Sequence, residues 1–123
     1  MKVIIAGSRD IEDYDLVCYA VATSKLDITT VISGTANGVD KLGERYATEH
    51  GIPIERYPAD WQKHGKSAGY KRNQKMAEIA DALIAVYDGV SRGTLHMVNI
   101  ARDKKLKVFL MLTNRKYSCN YKG

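Results

Sequence analysis

Along residues 1–112, short apolar runs alternate with longer stretches in which apolar residues recur every three or four positions. Lys2–Ala6 is a continuous apolar run ending at Gly7, the pattern of a strand buried on both faces. Asp13–Leu26 places Leu16, Val17, Ala20 and Val21 at helical spacing behind acidic residues that suit a helix N-terminus. Thr29–Ser33 is a second, β-branched run, and Gly34 ends it. Val39, Leu42, Gly43, Tyr46 and Ala47 fit one helix face, and Gly51 followed by Pro53 supplies the stop. Pro53–Tyr57 predicts a third strand, and Pro58–Ala68 a polar loop that holds the single tryptophan, Trp61. Asn73, Met76, Ala77 and Ala80 share a stripe of a helix over Gly69–Ala80, which leads into a strand at Ala82–Tyr87. Asp88–Gly93 is rich in turn residues, Thr94–Lys105 predicts a further helix, and Lys107–Leu112 a fifth strand.

Strands separated by helices of about a dozen residues imply crossover connections and hence parallel pairing. The expected fold class is therefore α/β: a single Rossmann-like, doubly wound, parallel five-stranded sheet with helices on both faces. A chain of 123 residues, 45% of them hydrophobic, suffices for one core, so we expect one domain over 1–112 and a polar tail over 113–123. Tyr117, Cys119 and Tyr121 in that tail are candidates for packing on a neighbouring subunit, and a homo-oligomer is expected. No run approaches the roughly 18 apolar residues of a membrane span, and the first is too soon followed by Arg9 and Asp10 to be a signal peptide, so the expected compartment is the cytoplasm. Cys18, half-buried on its helix, and Cys119 are too few and too far apart for a disulfide framework and read as plain thiols. The net charge of +5 fits an anionic partner, although a solvated helix face accounts for the Arg102–Lys107 group without one.

In doubly wound sheets, ligands lie outside the carboxyl ends of the strands where strand order reverses. Three loops at those ends are rich in glycine and small residues, and each leads toward a helix whose free amides and dipole attract phosphate. Gly7, Ser8 and Arg9 put a hydroxyl and a guanidinium at the end of the central strand. Ser33, Gly34, Thr35, Ala36, Asn37 and Gly38 lead to Asp40, placed either to bond a ribose hydroxyl or to complement the helix dipole. Ser91, Arg92, Gly93 and Thr94 repeat the theme. None of these is a G-x-G-x-x-G fingerprint or a P-loop. Each has a plainer reading as well, since α/β loops use glycine to turn and Ser or Asp to cap helices.

Arg72 and Asn73 stand side by side near a helix start, and an asparagine on an apolar stripe is ordinarily a tie between backbone groups. His96 is the histidine nearest a candidate site. His50 suits a helix C-terminus and His64 a loop. No cluster has the spacing of metal ligands, and neither a metal nor a resident cofactor is expected.

Taken in order, Gly7-Ser8-Arg9, Ser33-Gly34-x-Ala36-x-Gly38-Val39-Asp40, Trp61, Gly65, Ala68-Gly69-x-x-Arg72-Asn73-x-x-Met76 and Ser91-x-Gly93-Thr94 resemble the SLOG superfamily of Rossmann-like domains, in the branch of small proteins related to YspA and YpsA. That superfamily includes the DNA-uptake protein DprA and the LOG phosphoribohydrolases. The resemblance implies a nucleotide- or NAD-derived ligand held through phosphate and ribose, in a sensor or sequestering protein. It also makes Arg72 the counterpart of an arginine of LOG enzymes. The LOG loop Pro-Gly-Gly-x-Gly-Thr with its catalytic glutamate is replaced here by Val90-Ser91-Arg92-Gly93-Thr94-Leu95-His96-Met97, without a carboxylate in the first helical turn. Hydrolysis of a nucleotide N-glycosidic bond, with Asp40 or a second-subunit carboxylate in place of that glutamate, is accordingly the alternative. Single-stranded DNA binding is a third reading, against which stands the lack of an obvious ladder of aromatics among the basic residues.

Overall fold

The computed structural model describes residues 1–113. Five strands, β1 (Lys2–Gly7), β2 (Thr30–Ser33), β3 (Ile54–Arg56), β4 (Ala82–Tyr87) and β5 (Lys107–Leu112), form one sheet in the order β3-β2-β1-β4-β5, every pair parallel. The helices are α1 (Tyr14–Ser24), α2 (Val39–Glu49), α3 (Trp61–His64), α4 (Ala68–Ile79) and α5 (Arg92–Asp103). The expected doubly wound α/β architecture is what the chain adopts. The tail and its Tyr117, Cys119 and Tyr121 lie outside the described residues, within which no helix is long and apolar enough to cross a membrane.

Alternation along the strands divides the core between the two faces of the sheet. Val3, Ile5, Val31, Ile84 and Val86 pack with Leu16, Val17, Ala20 and Val21 of α1 and Val39 and Ala47 of α2. Ile4, Ala6, Ile32, Leu83 and Ala85 pack with Met76 and Ala77 of α4 and Met97, Val98 and Ala101 of α5. Because both faces are covered, β1 and β4 are apolar at nearly every position, which is why they were plain in the sequence.

Two local features depart from the sequence expectation. The loop at 58–68 contains α3 and a 3-10 turn at Gly65–Ser67. Asp60 opens that turn of helix by accepting the Lys63 amide at 3.1 Å, a cap that a search for long apolar periodicity does not register. Helix α5 begins at Arg92 rather than Thr94, because Ser91 is its N-cap and its Oγ accepts the Thr94 amide at 3.3 Å.

The core makes a direct prediction. Leu83→Ala, at a fully buried position, should lower unfolding stability by about 2–5 kcal/mol. Val90→Ala, at a position 68% exposed, should change it by less than about 0.5 kcal/mol. Urea midpoints for both variants check the contrast.

Candidate functional site

Strand order reverses between β1 and β4: the chain leaves β1 toward the α1 face and leaves β4 toward the α5 face. The two loop bases are tied at this divide, the Ser8 amide donating to the Val86 carbonyl at 3.1 Å and the Asp88 amide to Ser8 Oγ at 3.0 Å. Beside it lies a cleft of about 380 Å³ on the α4/α5 side. Its floor is apolar, from Ala6, Met76 and Met97. Gly7, Arg9, Ala36, Asp40, Arg72, Asn73, Ser91, Arg92, Gly93 and Thr94, all singled out from the sequence, line it. Trp61, Lys66, Gly69 and Tyr70 complete the wall.

The remaining candidates from the sequence do not line the cleft, and most of them have a structural task. Ser8 joins the two loop bases as described. Buried Ser33 donates to Glu44 Oε2 at 2.6 Å, and Glu44 also accepts from Arg56 Nε at 3.0 Å, which anchors α2 to its sheet. Thr35 is held at a φ of 65°, unusual for a β-branched residue, with its amide donating to Ser33 Oγ. Gly34 accepts a hydrogen bond from Arg72 Nη1. A Cβ at Gly34 would lie 2.7 Å from that nitrogen and 2.8 Å from Asp40 Oδ2, so only glycine lets the two groups face each other there. Asn37 and Gly38 border a second depression, on the far side of their loop.

The expected convergence of three helix starts is narrower than the sequence indicated. Helix α1 starts at Tyr14, several residues beyond Arg9, and Asp13 caps it. At α2 the Val39 amide donates to the Ser8 carbonyl, and the Ala36 amide is taken by Asp40 Oδ2 at 3.1 Å. Of these three helix starts, only that of α5 opens on the cleft. Thr94 is satisfied by Ser91 and the Val90 and Ser91 amides by Asp88 Oδ1, leaving the first-turn amides of Arg92 and Gly93 with no acceptor in their own helix.

Charge in the cleft is strongly one-sided. Arg9, Lys66, Arg72 and Arg92 come from four separate segments, and among the described residues that line the cleft Asp40 is the only carboxylate. Asp40 is buried, and that burial raises its pKa from an ordinary 3.8 to about 6, against the opposing pull of the Ala36 amide and of Arg72. Burial likewise lowers the Arg72 pKa, Asp40 countering the shift and Arg9 adding to it. Arg72 also reaches the Tyr57 carbonyl at 3.5 Å and donates from Nε to Asn73 Oδ1 at 3.0 Å. Asn73 is thus the tie its position implied. Its amide nitrogen donates to the Gly93 carbonyl at 3.3 Å and lies 3.2 Å from His96 Nδ1, locking α4 to the start of α5. The His96 ring in turn packs against Tyr70, centroids 4.2 Å apart.

Sequence reasoning did not assign Lys66 and Tyr70 to the site, and it read Trp61 only as a loop residue and a motif match. Their signal was faint: large or charged side chains in a polar stretch. Trp61 is 52% exposed and Tyr70 45%, and both border the cleft. The cleft thus carries two exposed aromatic side chains, a pair rather than a ladder. Among the described residues no group of His, Cys, Asp and Glu gathers in a way that would hold a metal.

The Asp40 shift has a pH consequence. The folded chain holds a proton there that the unfolded chain has lost between pH 3.8 and about 6. Stability from this group therefore falls as pH rises through that window, by roughly 3 kcal/mol in full. Asp40→Asn should remove this dependence, so its effect on unfolding free energy should be more favourable at pH 7 than at pH 4 by up to about that amount. Urea titrations of both proteins at the two pH values measure it.

Comparison with known proteins identifies the family. The model of the YspA, cpYpsA-related SLOG family matches residues 1–64, which hold the first two loops of the site. The chain is also 34% identical over 117 residues to the Gene 61 protein of Mycobacterium phage D29, an alignment covering 87% of this chain and 93% of that one. With its five-stranded doubly wound sheet and its loops at the β1/β4 divide, this chain belongs to the YspA, cpYpsA-related SLOG family.

Proposed function

We propose that the cleft binds a nucleotide-derived anion, and that the protein acts by sensing or sequestering it. The observation that carries this reading is the set of four cationic side chains converging on one apolar-floored cleft whose one carboxylate among the described residues is already engaged by the backbone. A volume of about 380 Å³ lies within the roughly 300–1,000 Å³ of small-molecule sites. In this reading, phosphate sits against the first turn of α5 between Arg9 and Arg92, where amides and guanidinium groups favour an anion. The base stacks on Trp61 or Tyr70, whose exposed rings offer a face to any heterocycle. Arg72 has donors committed to Gly34, Tyr57 and Asn73, so it contributes field and shape more than a flexible clamp.

One observation favours a second reading, hydrolysis of the N-glycosidic bond. Asp40 lines the cleft, and a carboxyl group with a pKa of about 6 can exchange a proton near neutral pH. On that reading Asp40→Asn retains binding and loses release of free base, which chromatography of mononucleotide incubations detects. No base released by the native protein leaves binding as the function.

Calorimetric titration with the four 5′-mononucleotides tests the leading reading. Arg9→Ala and Arg92→Ala should each weaken binding roughly ten- to hundredfold, the equivalent of one charged hydrogen bond of about 1.5–3 kcal/mol. Unchanged affinity in both variants would place the phosphate elsewhere.

A further inference from the structure

We propose that the depression behind the loop at 34–40 is a subsite for a second nucleoside, so that the full ligand carries two nucleosides joined through phosphate. This rests on the binding reading above and extends it. The loop acts as a partition. Ala36 and Asp40 face the cleft, whereas Asn37, Gly38 and Lys41 face a depression of about 560 Å³ on the other side. Arg9 borders both spaces. Its side chain is exposed and makes no hydrogen bond or ion pair among the described residues, so its guanidinium is available at the junction. A phosphate held there would have one substituent running into each space.

The two spaces differ in chemistry. The cleft is cationic and flanked by aromatic rings, as suits a nucleotide's charged end and its base. The depression mixes Lys41 with the carboxylates of Asp10 and Glu12, the Asn37 amide, and apolar Ile11 and Leu42. The Glu12 carboxylate and the Asn37 amide accept hydrogen bonds from ribose hydroxyls, and apolar side chains cover the plane of a base. An additional free phosphate would gain little there, since two acids offset its two cations, so the depression suits an uncharged nucleoside better than a second anionic group. The partition is thin because Gly38 takes a φ of 77° against the preceding loop, where a Cβ would stand 2.5 Å from the Arg9 carbonyl oxygen. That contact keeps both spaces within reach of a single arginine.

The test compares, for each of the four bases, the 5′-mononucleotide with two probes that carry a second nucleoside: the 5′-phosphorylated 3′,5′-linked dinucleotide and the 5′,5′-pyrophosphate-linked dinucleoside. At least one two-nucleoside probe should bind tenfold or more tightly than its mononucleotide, and which one does so identifies the linkage. Lys41→Glu, an exposed position outside the cleft, should abolish that gain and leave mononucleotide affinity unchanged. Equal affinity for one- and two-nucleoside probes overturns the subsite while leaving the binding reading standing. So does a gain that survives in Lys41→Glu, or a loss shared equally by the mononucleotide. Absence of binding by every probe overturns both.

Discussion

The pairing of β1 with β4 is the constraint on which the rest of the molecule depends. These two strands lie side by side at the centre of the sheet, yet the chain leaves them toward opposite faces. No helix can cover the edge where the two exits part, so an opening at that point follows from the topology before any functional side chain is placed. Hydrogen bonds from Ser8 to Val86 and from Asp88 to Ser8 hold the base of the opening at a fixed width. The apolar floor comes from the same residues that cover the α4/α5 face of the sheet, so the core and the cleft share a boundary.

On this frame the chain mounts an excess of positive charge at some energetic expense. A half-buried guanidinium and a buried carboxylate both lose hydration, and each is offset by fixed dipoles: carbonyls for Arg72, amides for Asp40. Such an arrangement needs little reorganisation to receive an anion, because its donors are already oriented by the protein. The same economy explains Asn73, whose amide oxygen and nitrogen are both engaged within the protein in joining Arg72, Gly93 and His96.

Much of this was legible in the sequence, for reasons that separate clearly. Strands buried on both faces leave unbroken apolar runs, so β4 was bounded to the residue and β1 to within one; the edge strand β5, only partly buried, was bounded to the residue because its run is apolar throughout after Lys107. The carboxyl-end rule then pointed to loops that the structure gathers around one cleft, without any knowledge of side-chain contacts. What sequence could not separate was lining from support. Ser8 and Ser33 resemble Ser91 as letters, but two of the three face inward to hold backbone and carboxylate. The region of Trp61, Lys66 and Tyr70 was illegible for a different reason. A single turn of helix has no periodicity to detect, and its approach to the cleft arises through the fold-back of α3 and the 3-10 turn against α4.

Arg72 carries a consequence beyond recognition. Its guanidinium grips the carbonyls that follow β2 and β3, and β3 is a margin strand of only three residues. Margins of sheets open far more readily than their centres. Whenever that margin frays, one wall of the cleft loses its anchor while the hydrophobic interior stays intact. An anion bound in the cleft would thereby be thermodynamically linked to closure of the sheet's border, acting as a clasp on the shortest of the described strands.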